Sequence, residues 1–164
     1  MSEERSGDTV EDQLERASEH VNALLESARR RIWVHTRSRL LTALPRVELA
    51  AAMSRVARRT RHADLRLLID DDVSLKSRHP RLTHTVTRLT SAISVRCLTP
   101  AQDTPSSLLL VVDRTAWLYL VQHQGRVGVK GERRDPAGSR SAADRFAEAW
   151  AISSESLELR KLML

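Results

Sequence analysis

The chain has 164 residues, 41% hydrophobic and 29% charged, enough for one domain with a buried core and ordinary for a globular protein. Its formal charge is +6, and arginine supplies 24 of the 27 basic residues. A single cysteine excludes an internal disulfide and a cysteine-based zinc cluster, and no stretch approaches the roughly 18 apolar residues a membrane helix needs.

Residues 1–8 read as a disordered polar tail, and 9–164 as a single domain. The acidic, polar start does not fit a signal peptide, so a cytoplasmic location is expected. Thr9 can cap a helix, with Glu11 and Asp12 near its positive end. Leu14, Ala17, Val21, Leu24 and Ala28 then form one apolar stripe to about Arg30. That stripe predicts an amphipathic helix packed on its own domain, with a partner helix as the alternative.

RIWVHT, 31–36, reads as a strand. Pro45 interrupts the helical pattern after it, and 47–59 forms a second helix on Leu49, Met53 and Val56. Residues 29–61 hold ten arginines and one acid, Glu48. Guanidinium forks match phosphate oxygens. Arg29, Arg30, Arg31, Arg55, Arg58 and Arg59 are therefore candidate anion-binding residues, provided that they share an exposed face. A solvated surface, or an arginine bias from GC-rich coding, would produce the same composition.

ADLRLLID, 63–70, is a strand ending in Asp70-Asp71-Asp72. A polar segment follows, then Leu82, Val86, Leu89 and Ile93 at helical spacing. A strand is expected at 94–98, with Cys97 as a small core residue, and PAQDTPSS as a loop. LLLVVDRTAWLYLV, 108–121, is the strongest apolar stretch: two buried strands hinged on Asp113-Arg114. RVGVK, 126–130, reads as a short edge strand. Ser141 is expected to cap a last long helix burying Ala142, Phe146, Ala149 and Trp150, before a final turn, SESLELRKL. Alternating helix and strand patterns give the class: α/β, a mixed β-sheet flanked by helices on both faces, with an N-terminal amphipathic helix.

RIWVHTRSRLL, ADLRLLIDD, SRHPRL, LLLVVDR and RFAEAW together resemble one half of the phospholipase D superfamily fold. They are similar in particular to a phospholipase D-like bacterial domain of unknown function, sometimes joined to a GNAT acetyltransferase. The resemblance spans most of residues 29–152. Active members carry HxKxxxxD. Aligned on Asp113, that motif puts Ser106 where the nucleophilic histidine would stand and Leu108 in place of the lysine. The downstream Gly-Ser-x-Asn is absent after Leu120, and the enzymes need two such halves. The resemblance thus implies a pseudoenzyme, a non-catalytic interaction or regulatory module without catalytic residues or cofactor. Its partner would be an unknown protein or a second copy.

Asp70, Asp71, His79, Ser106, Asp113 and Arg114 would form its vestigial pocket. The aspartates could meet Asp113 and His79 at the strand ends and hold a hard cation. The favoured alternative has the aspartates capping loops, Asp113 meeting an arginine and His79 structural, since no HxxxH or HExxH spacing appears and no metal is expected. The other reading of function, from a different class, is nucleic-acid binding through the arginines of residues 29–61.

Overall fold

The computed structural model describes residues 9–37, 46–101 and 105–163. The expected tail, 1–8, and the interruption at Pro45 lie outside the described residues. Seven strands form one sheet, in the order β6-β5-β4-β1-β2-β3-β7. Those strands are β1 Arg31–Thr36, β2 Asp64–Ile69, β3 Ile93–Cys97, β4 Ser106–Val112, β5 Ala116–His123, β6 Arg126–Glu132 and β7 Ser154–Glu155. β1, β2 and β3 are parallel, while the β4–β5–β6 meander and β7 join them antiparallel. The sheet is mixed, as its sequence pattern implies.

The continuous apolar run of β4 comes from burial on both faces, and Leu108 through Val112 are all buried. β5 differs from the expectation of full burial, since its residues alternate between buried and half-buried. Helix α1, Val10–Ser27, begins at the Thr9 capping box, in which Asp12 returns a carboxylate to the Thr9 N–H. Its stripe of Ala17, Val21, Leu24 and Leu25 packs on its own domain, beside α2, Arg46–Arg59. Leu75, Leu82, Val86 and Leu159 extend that core, bringing in α3 Asp72–Arg78, α4 Pro80–Arg88 and α6 Leu157–Leu162. The opposite sheet face packs on one helix, α5, Pro136–Ala151. There Trp33, Leu68, Leu109 and Val111 meet Ala142 and Phe146. Helices thus flank both faces.

Three local expectations need correction. Residues 72–78 form a helix where the sequence reads as polar loop, because Asp71 caps it and Leu75 anchors it in the core. Leu89 ends α4, and Ile93 belongs to β3, so the apolar spacing of 82–93 crosses a helix–strand boundary. Helix α5 starts at Pro136, not beyond Ser141. Asp135 accepts from the Gly138 N–H, and proline occupies the first turn, where no donor is missed.

Candidate nucleic-acid interface

The antiparallel pairing of β1 with β4 decides how the candidate residues group. Ile32 lies opposite Val112, and Thr36 opposite Leu108. The end of β4 therefore meets the start of β1, while Ser106 lies at the other end of the sheet. The seven residues of β4 span roughly 20 Å. Asp70, Asp71, His79 and Ser106 accordingly stand at one end, with Asp113 and Arg114 at the other. The expected convergence of the aspartates on Asp113 does not occur, and the six residues line no common pocket.

Two acidic residues at the first end, Asp71 and Asp72, serve the fold. Asp71 accepts from the Ser74 N–H at 3.1 Å and the Ser74 hydroxyl at 2.6 Å, which hold its carboxyl below the usual range. Asp72 accepts from the Ser156 hydroxyl at 2.8 Å and the Glu158 N–H at 3.2 Å, docking α6. His79 is buried at the junction of α3 and α4; its N–H donates to the Leu75 carbonyl, and its carbonyl accepts from Thr83. Ser106 opens β4 opposite Gln122. Among the described residues, no group of three or more His, Cys, Asp or Glu could hold a metal ion. Burial, and the neighbouring Asp72, push the Cys97 thiol up to about 11, so it stays protonated.

The other end is built around Asp113. Its backbone is left-handed, φ 52°, which aspartate tolerates better than most residues. Its carboxylate gathers three consecutive amides: the N–H of Arg29 at 3.2 Å, of Arg30 at 2.9 Å and of Arg31 at 3.0 Å. The Asp113 N–H donates back to the Arg31 carbonyl. Sequence reasoning paired Asp113 with an arginine. The partners are indeed arginines, but through their backbones. Their side chains are left for other work.

The topology then adds cations to the same end. α2 runs back from the far end of β1 to the start of β2, so Arg58 and Arg59 close its last turn there, followed by Arg61. Cations suit that negative helix terminus. Arg55 donates to the carbonyls of Leu25, Glu26 and Ala28 and thereby caps α1. It supports the surface rather than lining it. Arg30 donates to the His62 carbonyl at 3.2 Å, joining the two segments. Arg114 sits in the β4–β5 turn, and β6 returns the chain to Arg133 and Arg134 beside it. Arg29, Arg58, Arg59, Arg61, Arg114, Arg133 and Arg134 are exposed. None of these makes an ion pair among the described residues. Arg31 shares Asp64 with Arg66, at 4.0 and 2.9 Å. A cavity of 410 Å³ is lined by Arg29, Arg30, Arg31, Asp64, Asp113, Arg114 and Thr115. The sequence reading held Arg61 only within the basic stretch 29–61 and missed Arg133 and Arg134. The ERRD run just past an edge strand was their only signal, and its value depended on knowing that the hairpin folds back. A larger groove of 690 Å³ lies between α1 and β6, away from this surface.

Among the described residues, no helix is long and apolar enough to cross a membrane. Similarity to solved structures is confined to the fold. One match is TrmBL2, an archaeal chromatin protein whose structure shows a novel mode of DNA binding, at TM-score 0.64 and 12% identity. The match covers 87% of this chain and 51% of TrmBL2, so this chain spans about half the length of that protein. No curated protein matches. Residues 13–162 match a domain of unknown function, DUF7931, and the chain belongs to that family.

Proposed function

We propose that this protein is a non-catalytic nucleic-acid-binding domain that grips the phosphate backbone with its arginine-rich end. One observation carries the reading: segments far apart in sequence, 29–31, 58–61, 114 and 133–134, bring arginines to a single end of the sheet, and among the described residues Arg29, Arg58, Arg59, Arg61, Arg114, Arg133 and Arg134 make no ion pair there. Arginines dispersed around the domain, or paired with acids, would have argued for a merely solvated surface. The carboxylate in their midst, Asp113, is spent on backbone amides. The structural likeness to a DNA-binding chromatin protein supports duplex DNA as the form to test first. Phosphate contacts position a protein without reading bases, so weak sequence preference is expected.

The scaffold, in this reading, is a phospholipase D-like half that has lost its chemistry. Ser106 and Leu108 occupy the catalytic strand where histidine and lysine would stand, and Leu108 is buried in the core. No nucleophile with an adjacent base remains on that strand. Bis(p-nitrophenyl) phosphate should therefore be hydrolysed no faster than in buffer, with or without magnesium. Turnover above background that is lost on mutating Ser106 would refute this part.

The binding reading is tested by fluorescence anisotropy of labelled duplex and single strands across a salt series. Micromolar affinity near physiological salt, with log K falling by about 0.9 per phosphate contact for each unit of log salt, is expected. Absence of binding at low salt would refute it and return a protein partner, or a second copy of the chain, to first place.

A further inference from the structure

Beside the arginine end, a cavity of 510 Å³ opens between the first half of α5 and the start of β1. Arg31, Arg114, Arg140 and Asp144 form its polar wall, and Trp33, Ala143 and Ala147 its apolar one. Trp33 is only 7% exposed, and its indole N–H, sealed from solvent, donates to no acceptor among the described residues. A buried donor without a partner is rare in native folds and calls for an explanation. The ring is held in place, stacked on Phe146 with centroids 5.0 Å apart, while the Arg31 guanidinium lies over its face at 4.1 Å.

We propose that this cavity binds a small phosphate monoester with a nucleoside-sized body, its oxygens clasped by Arg31, Arg114 and Arg140 and one acceptor taken by the Trp33 N–H. Arg114, Arg140 and Arg31, the last also sharing Asp64, face one lining carboxylate, Asp144, and such a set suits a phosphate dianion better than a monoanion. The volume falls in the range of small-molecule sites and exceeds what a bare phosphate would fill, so the ligand carries a body that packs on Ala143 and Ala147. Arg31 and Arg66 both lie over the indole, at 4.1 and 4.6 Å from its centroid; Arg31, which also lines the cavity, would turn from the ring onto the phosphate while Arg66 stays on it. The same chemistry is present in a free mononucleotide and in the 5′-phosphorylated end of a strand. The strand-end form rests on the nucleic-acid reading, because the cavity shares Arg31 and Arg114 with the neighbouring cleft; the free-nucleotide form does not.

The test titrates AMP and adenosine by calorimetry and tryptophan fluorescence, and compares duplexes that differ only in a 5′-phosphate or 5′-hydroxyl end. AMP should bind with a Kd below about 1 mM, and adenosine at least about tenfold more weakly. Trp33→Phe keeps an aromatic ring on Phe146 but removes the N–H, and should weaken AMP about tenfold. Arg140→Gln, on the exposed surface of α5, should do the same without disturbing the fold, whereas Lys76→Gln at the opposite end of the sheet should change nothing. Equal binding of AMP and adenosine, or no AMP binding together with no preference for a 5′-phosphate, overturns the proposal even if duplexes bind. AMP binding without duplex binding upholds it in its free-nucleotide form and refutes the nucleic-acid reading instead.

Discussion

At the exit of β2, Asp71 and Asp72 turn their carboxylates onto helix starts, and the acids are consumed in building the fold. At the exit of β4, Asp113 is consumed in the same way, but by the amides of three arginines. The first end turns its acids onto its own helix starts. The second neutralises its central acid with backbone and leaves the guanidiniums outside. One residue type with one kind of bond therefore yields a structural corner at one end and a cationic surface at the other. What differs is which residues supply the amides.

Removing the two carboxylates should separate these roles. Asp113→Ala strips three N–H groups of their acceptor and puts alanine at positive φ, so a loss of about 3 kcal/mol is expected in urea unfolding. Asp113→Asn, which keeps an oxygen and tolerates φ 52°, should recover much of it. A loss under about 1 kcal/mol for Asp113→Ala would mean that water replaces the carboxylate and that this corner is not a lock.

Between the two ends, His35 of β1 supplies a pH signature that belongs to neither. Burial, with Arg37 adding to it, lowers its pKa to about 4. The unfolded chain takes up this proton near pH 6.5, and the folded chain refuses it until about 4. Stability is thus full above pH 6.5 and falls as pH drops toward 4, by about 2 kcal/mol after discounting for part exposure. The wild type should lose this stability between pH 7.5 and 4.5, and His35→Gln should lose much less. The capping carboxylates Asp71 and Asp135, held below their ordinary 3.8, respond only at lower pH and do not blur the window. An unchanged slope in His35→Gln would place the titrating group elsewhere.

The smallest effect is expected at the acidic end. Asp71→Ala removes one helix cap and should cost about 1 kcal/mol, without altering duplex affinity. A fall in affinity comparable to that of the arginine variants would erase the distinction between the ends.

The sheet was largely legible because buried β-branched and leucine runs have few other uses; RIWVHT became β1 with the same bounds. Helix α3 was not, since Leu75 is its one buried residue and seven polar-rich residues carry no period. The start of α5 was obscured by two good caps, Asp135 and Ser141, of which Asp135 prevails because it also accepts from the Trp117 indole at 3.1 Å. Site residues were legible one at a time, as a carboxylate at a strand end or an arginine run. Their grouping was not. Whether Asp113 faces Asp70 or Arg30 depends on β4 running antiparallel to β1, and whether Arg133 joins Arg58 depends on a two-residue hairpin at Gln124-Gly125, both at positive φ. Neither pairing is encoded within any one segment.

The central claim is that one end of the sheet carries the phosphate contacts. The direct measurement compares salt slopes of duplex binding for the wild type, for Arg58→Gln/Arg59→Gln/Arg114→Gln, and for Lys76→Gln/Arg78→Gln at the far end. The first variant should lose at least about tenfold in affinity and flatten the slope by about 0.9 for each phosphate contact removed, while the second retains the wild-type slope. Equal slopes for all three proteins would contradict the account and leave the arginine end as solvated surface.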